Sequence, residues 1–173
     1  MAVERKGAVK FKDKSLTLVG PEIKVGDRAP AFTSLTQDLS EFKSEELKGK
    51  PFLISTILSV ATGICDAEIK RFNEAADKLG DRASFITISM DLPFSLSNWC
   101  AAAGVKSVKL LSDHRDASFA QAYGTLVKEM RVLARAVFVA DKDGVVRYVE
   151  YLPSIGQHPD YDKALDAIRK LAQ

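Results

Sequence analysis

Few residues of this chain are equipped for chemistry. There are two cysteines, Cys65 and Cys100, and two histidines, His114 and His158, far apart in sequence. Cys65 ends the stretch Leu58-Ser59-Val60-Ala61-Thr62-Gly63-Ile64-Cys65, after an apolar run over residues 51–58 and before a helix-like run over 65–79. The order is buried strand, short loop with a glycine, then a cysteine in the first turn of a helix. The first N–H groups of a helix have no partner within it, and the macrodipole puts partial positive charge there. Both favour thiolate over thiol, so the sequence predicts a reactive Cys65 with a lowered pKa. Thr62, three residues earlier, can aim its hydroxyl at the sulfur or at an oxygen bound beside it. A cation is the natural third support, and Arg135 is the best candidate. It is a single charge in the apolar run Leu133-Ala134-Arg135-Ala136-Val137-Phe138-Val139. A buried arginine is costly unless paired. Two structural roles compete with the chemical one: an ion pair with a carboxylate, or a side chain snorkelling from a strand end.

Two cysteines in a chain of this size are most simply two inert buried thiols, since a structural disulfide is rarely needed in a cytosolic protein. The helix-start position of Cys65, and the place of Cys100 just after Trp99 in a short polar-apolar segment, favour a redox pair instead. No Cys-x-x-Cys is present, which argues against a plain disulfide oxidoreductase. The histidines belong to no ligand-like cluster, so no metal site is expected, and His158-Pro159 reads as a helix entry. No Gly-rich phosphate loop occurs.

The elements that must position these residues follow from periodicity. Val9 and Phe11, then Leu16 and Leu18, alternate with polar residues around Lys12-Asp13-Lys14, which predicts an N-terminal β-hairpin. A short extended piece follows around Phe32, and Ser44 caps one helical turn through Leu47. Residues 51–58 read as a central parallel strand buried on both faces. Ile69, Phe72, Ala76 and Leu79 make one helical stripe that Gly80 stops. Further strands are predicted over 84–90, 108–111, 133–140 and 145–151, the last near an edge, with a hairpin turn at Asp141-Lys142-Asp143-Gly144. Short helices are predicted around Trp99-Cys100, capped by Ser95 or Ser97 after a turn at residues 91–94, and over 117–123. Pro159 opens a last helix at its first position. The order ββ, βαβαβα, ββα is the thioredoxin-like α/β pattern: a central mixed sheet flanked by helices, with an N-terminal β-hairpin added.

At 173 residues the length suits one domain, over residues 1–173. Hydrophobic residues make up 46% and charged ones 28%, a globular balance, and the net charge is only +2 with the charges interspersed. Nucleic acid and an anionic membrane surface are therefore not expected as partners. No apolar run is long enough to span a membrane, and no apolar stretch follows Glu4, Arg5 and Lys6 as a secretory leader requires. A cytoplasmic location is the expectation.

The spacing Thr62-x-x-Cys65 at a strand-to-helix turn resembles the peroxidatic motif of peroxiredoxins. Cys65-Asp66-Ala67 and Arg71-Phe72-Asn73-Glu74 are similar to the thiol peroxidase branch, the atypical two-cysteine type. The similarity extends through Asp91-Leu92-Pro93-Phe94, Trp99-Cys100, Leu111-Ser112-Asp113, Ala122-Tyr123-Gly124, Ala134-Arg135-Ala136-Val137 and Pro159-Asp160-Tyr161, nearly the whole chain. It implies a peroxiredoxin-type thioredoxin fold. Cys65 would be the peroxidatic cysteine, Thr62 and Arg135 its supports, and Cys100 the resolving cysteine that closes a disulfide with Cys65. It also implies hydroperoxide as substrate, thioredoxin as reductant, no external cofactor and a homodimer. The chain departs from the branch in three places: Leu58 stands where its pattern has Pro, Ala61 where Asp precedes the Thr, and Glu68-Ile69-Lys70 where Gln-Thr-Arg is common. Leu58 restores a backbone N–H and frees φ, so the loop is expected to be less fixed and turnover weaker. Glu68 would raise the Cys65 pKa if it pointed inward. A thiol-disulfide redox sensor or binding protein of the same fold is the rival reading; peroxide consumption separates the two.

Overall fold

The structure, a computed structural model, describes residues 2–173. Its centre is β5 (Phe52–Thr56), every residue of which is buried. The strand lies parallel to β6 (Ser84–Ser89), which lies parallel to β7 (Val108–Ser112). On the other side β5 pairs antiparallel with β10 (Ala136–Ala140), and β10 with the edge strand β11 (Val146–Tyr151). At the far edge β3 (Thr33–Leu35) and β4 (Glu41–Lys43) run antiparallel beyond β7, completing seven strands in the order β11-β10-β5-β6-β7-β3-β4. Alternation along β5 sends Leu53 to one face and Phe52 and Ile54 to the other. The first face is covered by α1 (Gly63–Leu79) and α4 (Tyr161–Leu171); the second packs on Phe119 and Tyr123 in and after α3 (Ser118–Ala122). Helices on both sides of parallel strands are what keep β5 dry. The fold is thus the thioredoxin-like mixed sheet expected from the sequence.

The N-terminal hairpin is β1 (Glu4–Phe11) with β2 (Lys14–Val19), as the alternation predicts. It belongs to a second sheet, β1-β2-β8-β9, completed by two-residue strands β8 (Leu126–Val127) and β9 (Val132–Leu133) that periodicity does not reveal. The predicted strand over 133–140 is therefore split. Its first part joins the small sheet, its second part the large one, and Ala134-Arg135 is the crossing between them.

Several boundaries differ from the sequence reading, each for a local reason. Helix α1 begins at Gly63, with Thr62 as N-cap, so Cys65 is the third helical residue. Helix α2 (Pro93–Ala103) starts with Pro93 in its first turn and Leu92 as N-cap; Pro93 lacks the N–H that would be unpaired there, so neither Ser95 nor Ser97 caps it. Pro159 instead precedes the N-cap of α4, Asp160, whose carboxylate accepts from the Lys163 N–H at 3.1 Å. Ser44 does not cap its 3-10 turn over Ser44–Leu47; Lys43 is the cap, and the Ser44 hydroxyl accepts from the Phe32 N–H at 3.0 Å. Among the described residues no helix is long and apolar enough to cross a membrane.

Candidate active site

Strand β5 delivers the chain into the loop over residues 57–62, and α1 begins directly after it. Cys65 faces inward from the first turn and is 0% exposed, packed with Ile57, Val60, Ile69 and Leu96. Arg135 comes from the crossing before β10. Because Ala136 is in register with Thr56, the last residue of β5, Arg135 sits at the same end of the sheet as the start of α1. Its backbone surroundings are pinned on all sides. The Thr56 hydroxyl donates to the Ala134 carbonyl at 2.6 Å and accepts from the Ala136 N–H at 2.8 Å. The Ala134 N–H donates to the Thr125 carbonyl at 2.8 Å, and the Arg135 carbonyl accepts from the Leu152 N–H at 3.0 Å.

From that position the guanidinium reaches three acceptors. Nη2 donates to Cys65 Sγ at 3.2 Å and to the Ile155 carbonyl at 3.4 Å; Nη1 donates to Glu68 Oε2 at 2.9 Å. Ile155 is itself held by the hairpin, its N–H donating to the Lys10 carbonyl at 3.0 Å. Arg135 is 2% exposed and Glu68 0%. The alternatives open for Arg135 thus combine: it pairs with a buried carboxylate and contacts the cysteine at once. Burial works against its charge, but Glu68 and Cys65 more than offset that and hold Arg135 above its ordinary value. Burial likewise pushes the Glu68 carboxyl up, although Arg135 pulls it down. Glu68 Oε1 and Arg135 Nε have no hydrogen-bond partner among the described residues.

Thr62 lies at the N-cap but makes no side-chain cap bond; its hydroxyl donates to the Ser59 carbonyl at 3.2 Å, into the loop rather than to the sulfur. Cys100 lies on α2, half-buried, and its sulfur accepts from Gln37 Nε2 at 3.4 Å. Burial pushes the Cys100 thiol up, and the Gln37 contact counters only part of it. Both cysteines are free thiols on separate helices. The structure therefore brings Cys65 and Arg135 together, leaves Thr62 facing the loop beside them, and keeps Cys100 on its own helix.

Glu68 is the residue whose inward position the sequence left open. Three places after Cys65 it falls on the stripe of Phe72, Ala75 and Leu79, so a carboxylate on the buried face of α1 was readable. Gln37 carried no comparable signal, nor did Asp91, which accepts from the loop at Ser59 and Val60. Among the described residues no group of histidine, cysteine and carboxylate side chains is arranged to hold a metal ion.

A buried cysteine in the first turn of the helix after the central strand, beside an arginine from the segment that enters the adjacent strand, defines the class: a peroxiredoxin-type member of the thioredoxin-like proteins. Comparison with known proteins agrees. The Redoxin family model matches residues 24–165. A peroxiredoxin-like protein from Aquifex aeolicus superposes with a TM-score of 0.88 at 36% identity, covering 98% of each chain. The thiol peroxidase from Chromobacterium violaceum gives a TM-score of 0.82 at 26% identity, over 94% of this chain and 95% of the other. The thiol peroxidase of Bacillus subtilis (strain 168) is 50% identical over 165 residues, 95% of this chain and 98% of the relative. That of Listeria innocua is 46% identical over 162 residues, 94% of this chain and 98% of the relative. The chain belongs to the thiol peroxidase family of redoxins, and its enzymatic class is thiol-dependent peroxidase.

Proposed function

We propose that the chain, acting as a single domain over residues 1–173, reduces hydrogen peroxide or alkyl hydroperoxides with Cys65 as nucleophile. The observation that carries this is the 3.2 Å contact between Arg135 Nη2 and Cys65 Sγ in a site closed to water. The Cys65 thiolate attacks the distal peroxide oxygen. An S–O bond forms as the O–O bond breaks, and the leaving oxyanion takes a proton to become water or an alcohol. Arg135 and the N–H groups at the start of α1 stabilise the charge that moves between the oxygens. Thr62, released from Ser59, orients the peroxide. Cys65 is left as a sulfenic acid. The Cys100 sulfur then attacks the Cys65 sulfur, water leaves, and an intramolecular disulfide remains. A dithiol protein, thioredoxin by analogy with the family, reduces the disulfide by exchange. No external cofactor takes part. The chain is read as a cytoplasmic homodimer.

The distance between helices is the main structural demand. A disulfide requires Cα atoms within roughly 4.4 to 6.8 Å. Cys65 lies in α1 and Cys100 in α2, and part of α2 is expected to unwind for the bond to close. The test is peroxide consumption with thioredoxin and its reductase. The parent should turn over, Cys65→Ser should be inert, and Cys100→Ser should stop after one equivalent. Turnover by Cys65→Ser would overturn the assignment. A second reading, a redox sensor that oxidises once and turns over poorly, is favoured by the complete burial of Cys65 and by Leu58 and Ala61 in the loop. Slow turnover by the parent together with rapid single oxidation would select it.

A further inference from the structure

The loop leading to Cys65 lacks the proline and the aspartate of its branch, yet it is tethered. Asp91, in the turn between β6 and α2, accepts from the Ser59 hydroxyl through Oδ1 at 2.8 Å. Its Oδ2 accepts from the Val60 N–H at 3.0 Å and from the Ser89 hydroxyl at 2.8 Å. The backbone of Asp91 is fixed to the rigid sheet: its N–H donates to Ser89 Oγ at 3.2 Å, and its carbonyl accepts from the Ser112 hydroxyl. Ser59 passes the restraint onward. Its Oγ accepts from the Ala61 N–H at 3.1 Å, and its carbonyl accepts from both the N–H and the hydroxyl of Thr62 at 3.2 Å. Thr62 is the N-cap of α1, and its carbonyl accepts from the Asp66 N–H at 3.1 Å. One continuous chain of hydrogen bonds thus runs from β6 and β7, through Asp91 and Ser59, to the turn that carries Cys65. A carboxylate acceptor makes the first bonds of that chain stronger than neutral ones.

We propose that Asp91 is a positioning residue for the reaction of Cys65: by holding Ser59 and Val60 it sets the loop, and with Leu58 in place of proline this chain relies on that tether alone. The proposal rests on Cys65 being the reacting cysteine. Leu58 is the position where a second restraint can be added to test this. Its N–H donates no hydrogen bond to any of the described residues, so a proline there removes none. Asp91 touches neither sulfur, so its effect on chemistry has to pass through the loop.

The test measures the first step alone. Sulfenic acid formed by hydrogen peroxide is trapped with dimedone and read by mass spectrometry, on a Cys100→Ser background. Asp91→Ala should slow oxidation by roughly ten- to a hundredfold, the range expected when a reacting group is misplaced by about an ångström. Ser59→Ala, a milder change that keeps Asp91 on Val60 and Ser89, should slow it by less. Adding Leu58→Pro should return most of the rate to Asp91→Ala and change the parent rate little. The proposal is overturned if Asp91→Ala and Ser59→Ala oxidise at the parent rate. It is also overturned if Leu58→Pro restores only the melting temperature of Asp91→Ala and not its rate. Should Asp91→Ala not fold, the Ser59→Ala rate, with and without Leu58→Pro, decides the matter by the same criteria. Cys65→Ser separates the two levels of the reading. If it still consumes peroxide, the Cys65 assignment fails; if it is inert while Asp91→Ala reacts like the parent, only the Asp91 proposal fails.

Discussion

Replacing Arg135 by methionine should cost stability and rate by separate routes, and the two can be measured apart. Arg135 Nη1 holds Glu68 at 2.9 Å and Nη2 holds Cys65 at 3.2 Å, all three residues being sealed from solvent. Breaking a buried ion pair by removing one partner typically costs about 3–5 kcal/mol, because a charge is left alone. Glu68 escapes most of that. Burial already holds its carboxyl above the ordinary value of 4.5, and Arg135 is the main influence pulling it down. Without Arg135 the carboxyl rises further and stays protonated at pH 7. The cost there falls to that of a neutral buried group with lost hydrogen bonds, about 1–3 kcal/mol. The sign with pH follows. A carboxyl whose pKa is higher in the folded state binds its proton more tightly there, so its contribution is fully present below 4.5 and is lost as pH rises through the folded value. In Arg135→Met that loss shifts to higher pH and becomes larger. Urea melts at pH 6, 7.5 and 9 should therefore show the variant destabilised least at pH 6 and most at pH 9. The rate behaves differently. Losing one aimed donor should slow Cys65 oxidation by on the order of a hundredfold, about 3 kcal/mol. The double variant Arg135→Met, Glu68→Gln should regain stability at pH 9 and none of the rate. Parent-like oxidation by Arg135→Met would make Arg135 purely structural. Recovery of rate in the double variant would show that Arg135 serves only to neutralise Glu68.

Three further outcomes are expected. Hydrogen peroxide, small enough to enter the closed site, followed by dimedone trapping and peptide mapping, should mark Cys65 ahead of Cys100, whose thiol is pushed up by burial; preferential marking of Cys100 would contradict its resolving role. Leu58→Pro, alone or with Ala61→Asp, should hold or raise peroxidase efficiency, and a large fall in both variants would mean that the loop of this chain cannot accept the family restraint. Trp99, the only tryptophan, adjoins Cys100 on α2, so one equivalent of peroxide should change its fluorescence in two phases. Cys100→Ser should keep the first, smaller phase and lose the second; coincident traces would mean that no disulfide forms or that α2 need not open.

Much of the fold was legible because its signals are local. The buried run before Cys65, the stripe Ile69, Phe72, Ala76 and Leu79, and Gly80 after it define strand, loop and helix from neighbouring residues alone, since side-chain period and capping act over a few positions. The placement of Cys65 in the first turn of α1 came the same way. Arg135 was singled out as a lone charge in an apolar run, but its surroundings could not be read. Whether it snorkels, pairs with a carboxylate or meets the cysteine depends on the register of β10 against β5. It depends also on the break at Ala134-Arg135, where one run is divided between two sheets. That break is held by Thr56, Thr125 and Leu152, residues distant in sequence. The sequence by itself singled out Cys65 as the candidate nucleophile, and it determined the helix that presents it and the sheet behind it. Only the tertiary structure decided that Glu68 shares the arginine and that Asp91 holds the loop. Those contacts join residues 67 and 31 or more positions apart, and no local propensity specifies a pairing across such separations; it arises when packed elements fix the register.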